Sequence, residues 1–119
     1  MLHKMKLQNG PFEMIKCGRK TIEMRLLDDK RKKINIGDII EFVNQNNNEI
    51  IKAKVIDLHK FNTFEELYAN FDKVTLGYED DEEAIPYDMQ KYYDKEKIDK
   101  YGVIGIEIEM ISNKQNVDI

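Results

Sequence analysis

Hydrophobic residues alternate with polar ones over three well-marked stretches of this chain. Ile22, Met24 and Leu26 are interleaved with Glu23 and Arg25; Ile51, Ala53 and Val55 with Lys52 and Lys54; Ile104, Ile106, Ile108 and Met110 with Gly105, Glu107 and Glu109. Successive side chains on a strand point to opposite faces, so each stretch predicts a strand with one buried face. The predicted strands cover residues 21–27, about 49–58, and 103–111, and shorter apolar runs add 5–7 and 39–43. Between the third and fourth in chain order lies Asn44-Gln45-Asn46-Asn47-Asn48, which reads as a hairpin loop because asparagine tolerates left-handed backbone.

Elsewhere the spacing is helical. Asn9 is a candidate N-cap with Pro11 just inside the helix, Phe12 and Ile15 share one side, and Gly18 is a natural stop. Thr63 and Glu66 form a capping box ahead of Phe64, Leu67, Tyr68 and Phe71, which recur at i, i+3, i+4 and i+7. Pro86 opens a further predicted helix with Met89, Tyr92 and Tyr93 on one face, which reads as core packing. Asp94 caps a last helical turn that stops at Gly102, and polar residues 28–35 form a turn or short helix. Strands with helices inserted between them, and no regular βαβ alternation, predict an α+β fold built on a small mixed β-barrel. Residues 1–111 form one domain in this reading, and 112–119 a C-terminal tail.

Size agrees, since 119 residues are too few for two ordinary domains. No apolar run approaches the ~18 residues of a membrane span, and residues 1–12 lack the layout of a secretory signal. A single cysteine excludes an internal disulfide framework. The expected location is therefore the cytoplasm, away from membranes.

Charge is unevenly distributed. Residues 1–60 carry 13 Lys/Arg against 8 Asp/Glu, and residues 61–119 carry 6 against 15, which together give the net charge of −4. Lys30-Arg31-Lys32-Lys33, Lys52, Lys54 and the Arg19, Lys20, Arg25 group could offer phosphates a basic face, or could merely solubilise loops and strand faces. The acid run 79–83 lacks the spacing of a calcium loop and reads as a solvated loop. His3 and His59 are the only histidines, so the usual zinc sets cannot be assembled, and Cys17 has no partnered base in view. No metal and no cofactor are expected.

Chemistry concentrates in residues 18–25. On the non-core face of the 21–27 strand stand Thr21, Glu23 and Arg25, with Lys20 at the strand entrance, where a turn at Gly18 can redirect it. Such a strand can floor a polar cleft; an ordinary solvated strand with a Glu–Arg pair has the same pattern. Tyrosines fall mainly in the second half, and Tyr78, in the loop after Gly77, is the candidate for stacking on a base.

Gly18-x-Lys20-Thr21-Ile22-Glu23-x-Arg25, Ile36-Gly37-Asp38-x-Ile40-x-Phe42, Tyr92-Tyr93 and Tyr101-Gly102-Val103-x-Gly105-Ile106, in that order, resemble an ASCH domain over about residues 5–111. The resemblance implies a PUA-like barrel with a cleft between barrel and helices. It also implies RNA binding or, in one bacterial branch, hydrolysis of N4-acetylcytidine. Lys20 matches that branch's catalytic lysine, but its nucleophilic threonine falls at Glu23; Thr21 matches a neighbouring, non-nucleophilic threonine. The branch's catalytic glutamate belongs to the loop within 72–83, where no residue of this chain is assigned to it. A carboxylate is a poor nucleophile toward an amide, although it can act as a general base on water. The expected function is binding of RNA or a nucleotide-like ligand by Lys20, Thr21, Glu23, Arg25 and Tyr78, with Lys20 and Glu23 the candidates for any catalytic role. A small hydrolase acting on a modified nucleoside and a protein-interaction module using the acidic half are the alternatives.

Overall fold

Each alternating stretch becomes a strand of one mixed sheet in the computed structural model, which describes residues 1–111. The strands are β1 (Leu2–Leu7), β2 (Ile22–Leu26), β3 (Ile39–Asn44), β4 (Ile50–Phe61) and β5 (Val103–Met110). Their order is β1-β3-β4-β5-β2, with β1 parallel to β3 and every other pair antiparallel. The sheet curls into a half-barrel, so β1 and β2 are edges that face each other across an open seam. Among the described residues no helix is long and apolar enough to cross a membrane. The predicted tail, 112–119, lies outside the described residues.

Two hydrophobic cores, one on each face of the sheet, hold this arrangement. Met5, Leu7, Phe42, Val55, Ile104 and Ile106 meet Phe12 and Ile15 of α1 (Asn9–Lys16) on the inner face. Ile22, Met24 and Leu26 look the other way, onto Phe64 and Leu67 of α2 (Phe64–Asn70) and Ile98 of α3 (Lys95–Tyr101). Residues directly opposite in an antiparallel pair share a face. Glu23 pairs with Ile106 and Arg25 with Ile104, so both point to the inner face at the seam.

Several local expectations are corrected. β1 starts at Leu2 rather than residue 5 because its parallel register with Ile39–Asn44 supplies backbone partners that the sequence pattern does not reveal. Asn9 is the first residue of α1 and not its cap; its side chain accepts from Asn44 Nδ2 at 2.9 Å, tying the helix to the hairpin loop. β4 runs on to Phe61 through a bulge between Val55 and Asp57, which interrupts the alternation used to predict its end. Thr63 does cap α2, accepting from the Glu66 amide at 3.2 Å, while Glu66 reaches the amide of Asn62. The Pro86 segment is a 3-10 helix, Pro86–Lys91, so the three residues do not share one face: Met89 and Tyr93 pack against the core as expected. Tyr92 is accordingly 62% exposed instead of packed in the core.

Gly77 shows how tightly the 72–85 loop closes over the seam. Its φ is +106°, and an added Cβ would stand 3.0 Å from Lys20 Cδ. Gly77→Ala is expected to destabilise the protein by about 1–3 kcal/mol through this backbone strain, read by urea unfolding. Gly10→Ala, in α1 with nothing within 4 Å of the new methyl, should instead stabilise by about 0.5–1 kcal/mol. Equal effects at the two positions would contradict the strain at Gly77.

Candidate ligand-binding cleft at the barrel seam

Gly18, at φ +88°, ends α1 and turns the chain so that the amides of Arg19 and Lys20 both reach the carbonyl of Met14. The turn aims Lys20 beneath the 72–77 loop instead of into solvent. Its Nζ donates to the carbonyls of Ile22 and Leu76, each at 2.9 Å, and lies 3.4 Å from Glu23 Oε1. Two hydrogen bonds and one ion pair thus surround the ammonium. Burial pushes the ammonium below its ordinary range, against the opposing pull of Glu23.

Glu23 takes Arg25 Nε on its other oxygen at 2.7 Å. Burial alone would raise its carboxyl, but Lys20 and Arg25 together outweigh burial and hold it ionised, below the usual range. Arg25 also donates through Nη2 to the carbonyl of Lys6 at 3.2 Å, joining the two edge strands across the seam. Burial works against the guanidinium's charge and Glu23 works for it; the net shift is upward. No hydrogen bond among the described residues engages Nη1.

Above this floor opens a cleft of about 390 Å³, bordered by Lys6 and Gln45 on one side and by Tyr68, Tyr78, Asp88 and Tyr93 on the other. The Tyr78 hydroxyl lies 2.7 Å from that of Tyr68, 3.1 Å from Asp88 Oδ2 and 3.3 Å from the carbonyl of Ile85. Burial pushes both phenols up, so they stay neutral, and the half-buried Tyr78 ring meets the Tyr68 ring edge-on at the cleft wall, with centroids 5.9 Å apart. Tyr93 stacks on Phe64 with centroids 6.0 Å apart and planes at 16°, while Tyr92 stands on the exposed rim.

The remaining sequence candidates divide. Lys20, Glu23, Arg25 and Tyr78 line the cleft; Thr21 does not, and borders a separate groove with Gly18, Ile56 and Glu107. Lys20, being buried, adds nothing to an exposed basic face. Arg31 pairs with Asp28 at 3.1 Å, and Arg19 with Asp80 at 3.2 Å. Lys52 and Lys54 stand opposite Glu41 and Glu109 in register. The acid run is folded down: Lys73 Nζ donates to the carbonyls of Asp80 and Glu82, and Glu82 alone of residues 79–83 borders the cleft. Sequence reasoning missed Lys6, Tyr68, Glu82 and Asp88 as lining residues. Lys6 comes from β1 and Tyr68 from α2, and the 72–92 segment brings Glu82 and Asp88 across the seam to meet them.

The family model of the ASCH domain matches residues 5–112. This chain belongs to the ASCH domain family. Among solved structures, the crystal structure of hypothetical protein PH0355 is similar to this ASCH domain with a TM-score of 0.78 and 34% identity, over 93% of this chain and 100% of that one. The solution structure of protein PF0455 from Pyrococcus furiosus has a TM-score of 0.70 and 34% identity, over 94% and 99%. A mutant of ZmASCH from Zymomonas mobilis, at 11% identity and a TM-score of 0.65 over 96% of this chain and 75% of that one, shares the fold. No curated protein matches the chain.

Lys20 in this ASCH domain is thus a buried post joining the β2 entrance, the loop and Glu23. Removing one member of a buried ion pair typically costs about 3–5 kcal/mol. Lys20→Met, which keeps the apolar stem but orphans the carbonyls of Ile22 and Leu76, should lose stability on that scale in urea titration. Adding Glu23→Gln should return part of the loss, because the second change removes the uncompensated charge. Strict additivity of the two substitutions would show that they do not interact.

Proposed function

We propose that this ASCH domain binds single-stranded RNA, or a nucleotide-like ligand, in the seam cleft. The observation that carries this reading is the exposed Tyr92, with Tyr78 and Tyr93, beside a cavity floored by the Glu23–Arg25 pair. Unstacked bases are recognised by aromatic faces together with donors and acceptors for their polar edges. Here Arg25 supplies donors and Glu23 an acceptor, Tyr92 and Tyr78 supply ring faces, and the exposed Lys6 and Lys91 at the margin meet phosphate. A volume of about 390 Å³ falls in the range of small-ligand sites.

Binding is favoured over hydrolysis by the state of Lys20. A general base must be neutral with a lone pair facing its proton donor. Lys20 Nζ instead donates to two carbonyls and has Glu23 Oε1 at 3.4 Å, so a deprotonated amine would turn its lone pair toward another oxygen lone pair. Glu23 also stands where the hydrolytic branch that this chain resembles has its threonine. N4-acetylcytidine incubated with the protein should therefore show no deacetylation above background by chromatography. Robust turnover that disappears in Lys20→Met, with the fold checked, would replace binding by catalysis.

Short single-stranded RNA should bind with an affinity that falls as salt rises. Lys6→Gln with Lys91→Gln should flatten the logarithmic salt slope by roughly 0.7 for each phosphate that is no longer neutralised. Tyr92→Ala, at an exposed position where the fold tolerates truncation, should weaken binding by about 1–3 kcal/mol if a base stacks there. Fluorescence anisotropy reads both. If RNA and free nucleotides fail to bind even at low salt, the nucleic-acid reading falls and a protein-docking role for the acidic half takes its place.

A further inference from the structure

On the sheet face opposite Glu23, a second cluster forms that the cleft does not use. Glu107 is paired in register with Ile22 on β2 and with Asp57 on β4. By strict alternation Asp57 would share the inward face of Val55. The bulge between Val55 and Asp57 reverses that parity, leaves Ile56 41% exposed, and brings Asp57 and His59 outward beside Glu107. His59 Nε2 lies 2.9 Å from Glu107 Oε1 and 3.7 Å from Asp57 Oδ2.

We infer that Asp57, His59 and Glu107 form a zinc-binding site. One nitrogen and two carboxylate oxygens offer ligand atoms that all lie within 4.8 Å of one another. A tetrahedral zinc ion with bonds of about 2.0–2.2 Å needs ligand atoms roughly 3.3–3.5 Å apart. The two measured separations bracket that spacing, and rotation of the exposed Asp57 side chain closes the rest.

Two neighbouring contacts restrain Asp57 and His59 near this geometry. Asp57 Oδ1 accepts from the amide of Leu58 at 2.8 Å, which turns Oδ2 toward His59. The His59 ring meets the Phe71 ring edge-on, with centroids 4.9 Å apart, and that contact fixes its plane. Among the described residues neither carboxylate has a Lys or Arg ion-pair partner; the imidazole is the one group capable of positive charge beside both. Two carboxylates converging on one imidazole nitrogen offer a mixed N/O ligand set to a divalent ion. An imidazole ligand selects zinc and its neighbours over the hard, oxygen-seeking magnesium and calcium. Side-chain exposures of 52%, 27% and 34% leave room for water as the fourth ligand. The bound ion would tie the β4 bulge to β5.

The test is calorimetric titration of the untagged full chain with zinc chloride, beside NMR of the histidine rings. One zinc per chain should bind in the micromolar range, and millimolar magnesium should not displace it. His59→Gln and Glu107→Gln should each weaken binding at least tenfold, while His3→Gln, at the other histidine, should leave it unchanged. In the unaltered protein the His59 ring signals should shift on titration and those of His3 should not, a reading that stands whether or not the variants fold. Absence of saturable binding up to millimolar zinc, full affinity in His59→Gln, or a shift confined to His3 would overturn the assignment.

Discussion

The seam of the half-barrel depends on one buried carboxylate. Glu23 sits between the Lys20 ammonium and the Arg25 guanidinium, at 3.4 and 2.7 Å. An ionised group in such a place is tolerable only when opposite charge and hydrogen bonds replace the water it has lost. Those two cations also carry the connections of the site. Arg25 continues to the carbonyl of Lys6 on β1, and Lys20 to the carbonyl of Leu76 in the covering loop. Two unpaired edge strands and a loop are thereby tied through a single anion, where backbone pairing would have closed the barrel and removed the cleft.

β2 can hold that anion because one of its faces is packed and the other lies at the base of the cleft. Its apolar side chains pack beneath α2 and α3, and the polar ones turn toward the inner face at the point where the sheet runs out. The same logic explains Gly77: the loop backbone lies so close to the Lys20 stem that a methyl would collide with it. The cleft floor is buried and hydrogen-bonded, while on its aromatic rim Tyr92 follows a 3-10 turn and stays in solvent.

The outer face obeys a different constraint. A one-residue bulge in β4 reverses which side chains look outward, and thereby assembles Asp57, His59 and Glu107 from segments far apart in the chain. Bulges bring a local loss of pairing, and this one also exposes Ile56. In return, an acid that strict alternation would turn inward joins a polar cluster with free coordination capacity.

Much of this was legible in the residues themselves. Period-two alternation determined β2, most of β4 and β5, because burial of one face of a strand leaves a mark at every second position. Thr63 and Asp94 announced α2 and α3 because a capping oxygen serves amides only a few residues away. The proximity of Glu23 and Arg25 was likewise local, two positions apart on one strand. What the chain could not disclose was non-local. The parallel pairing of β1 with β3, the Lys20 contact with Leu76, the exposure of Tyr92, and the exclusion of Thr21 from the cleft all depend on how separate segments meet. Periodicity reports which side of an element is buried; which partner buries it, and whether a bulge reverses it, is decided only when the whole sheet packs.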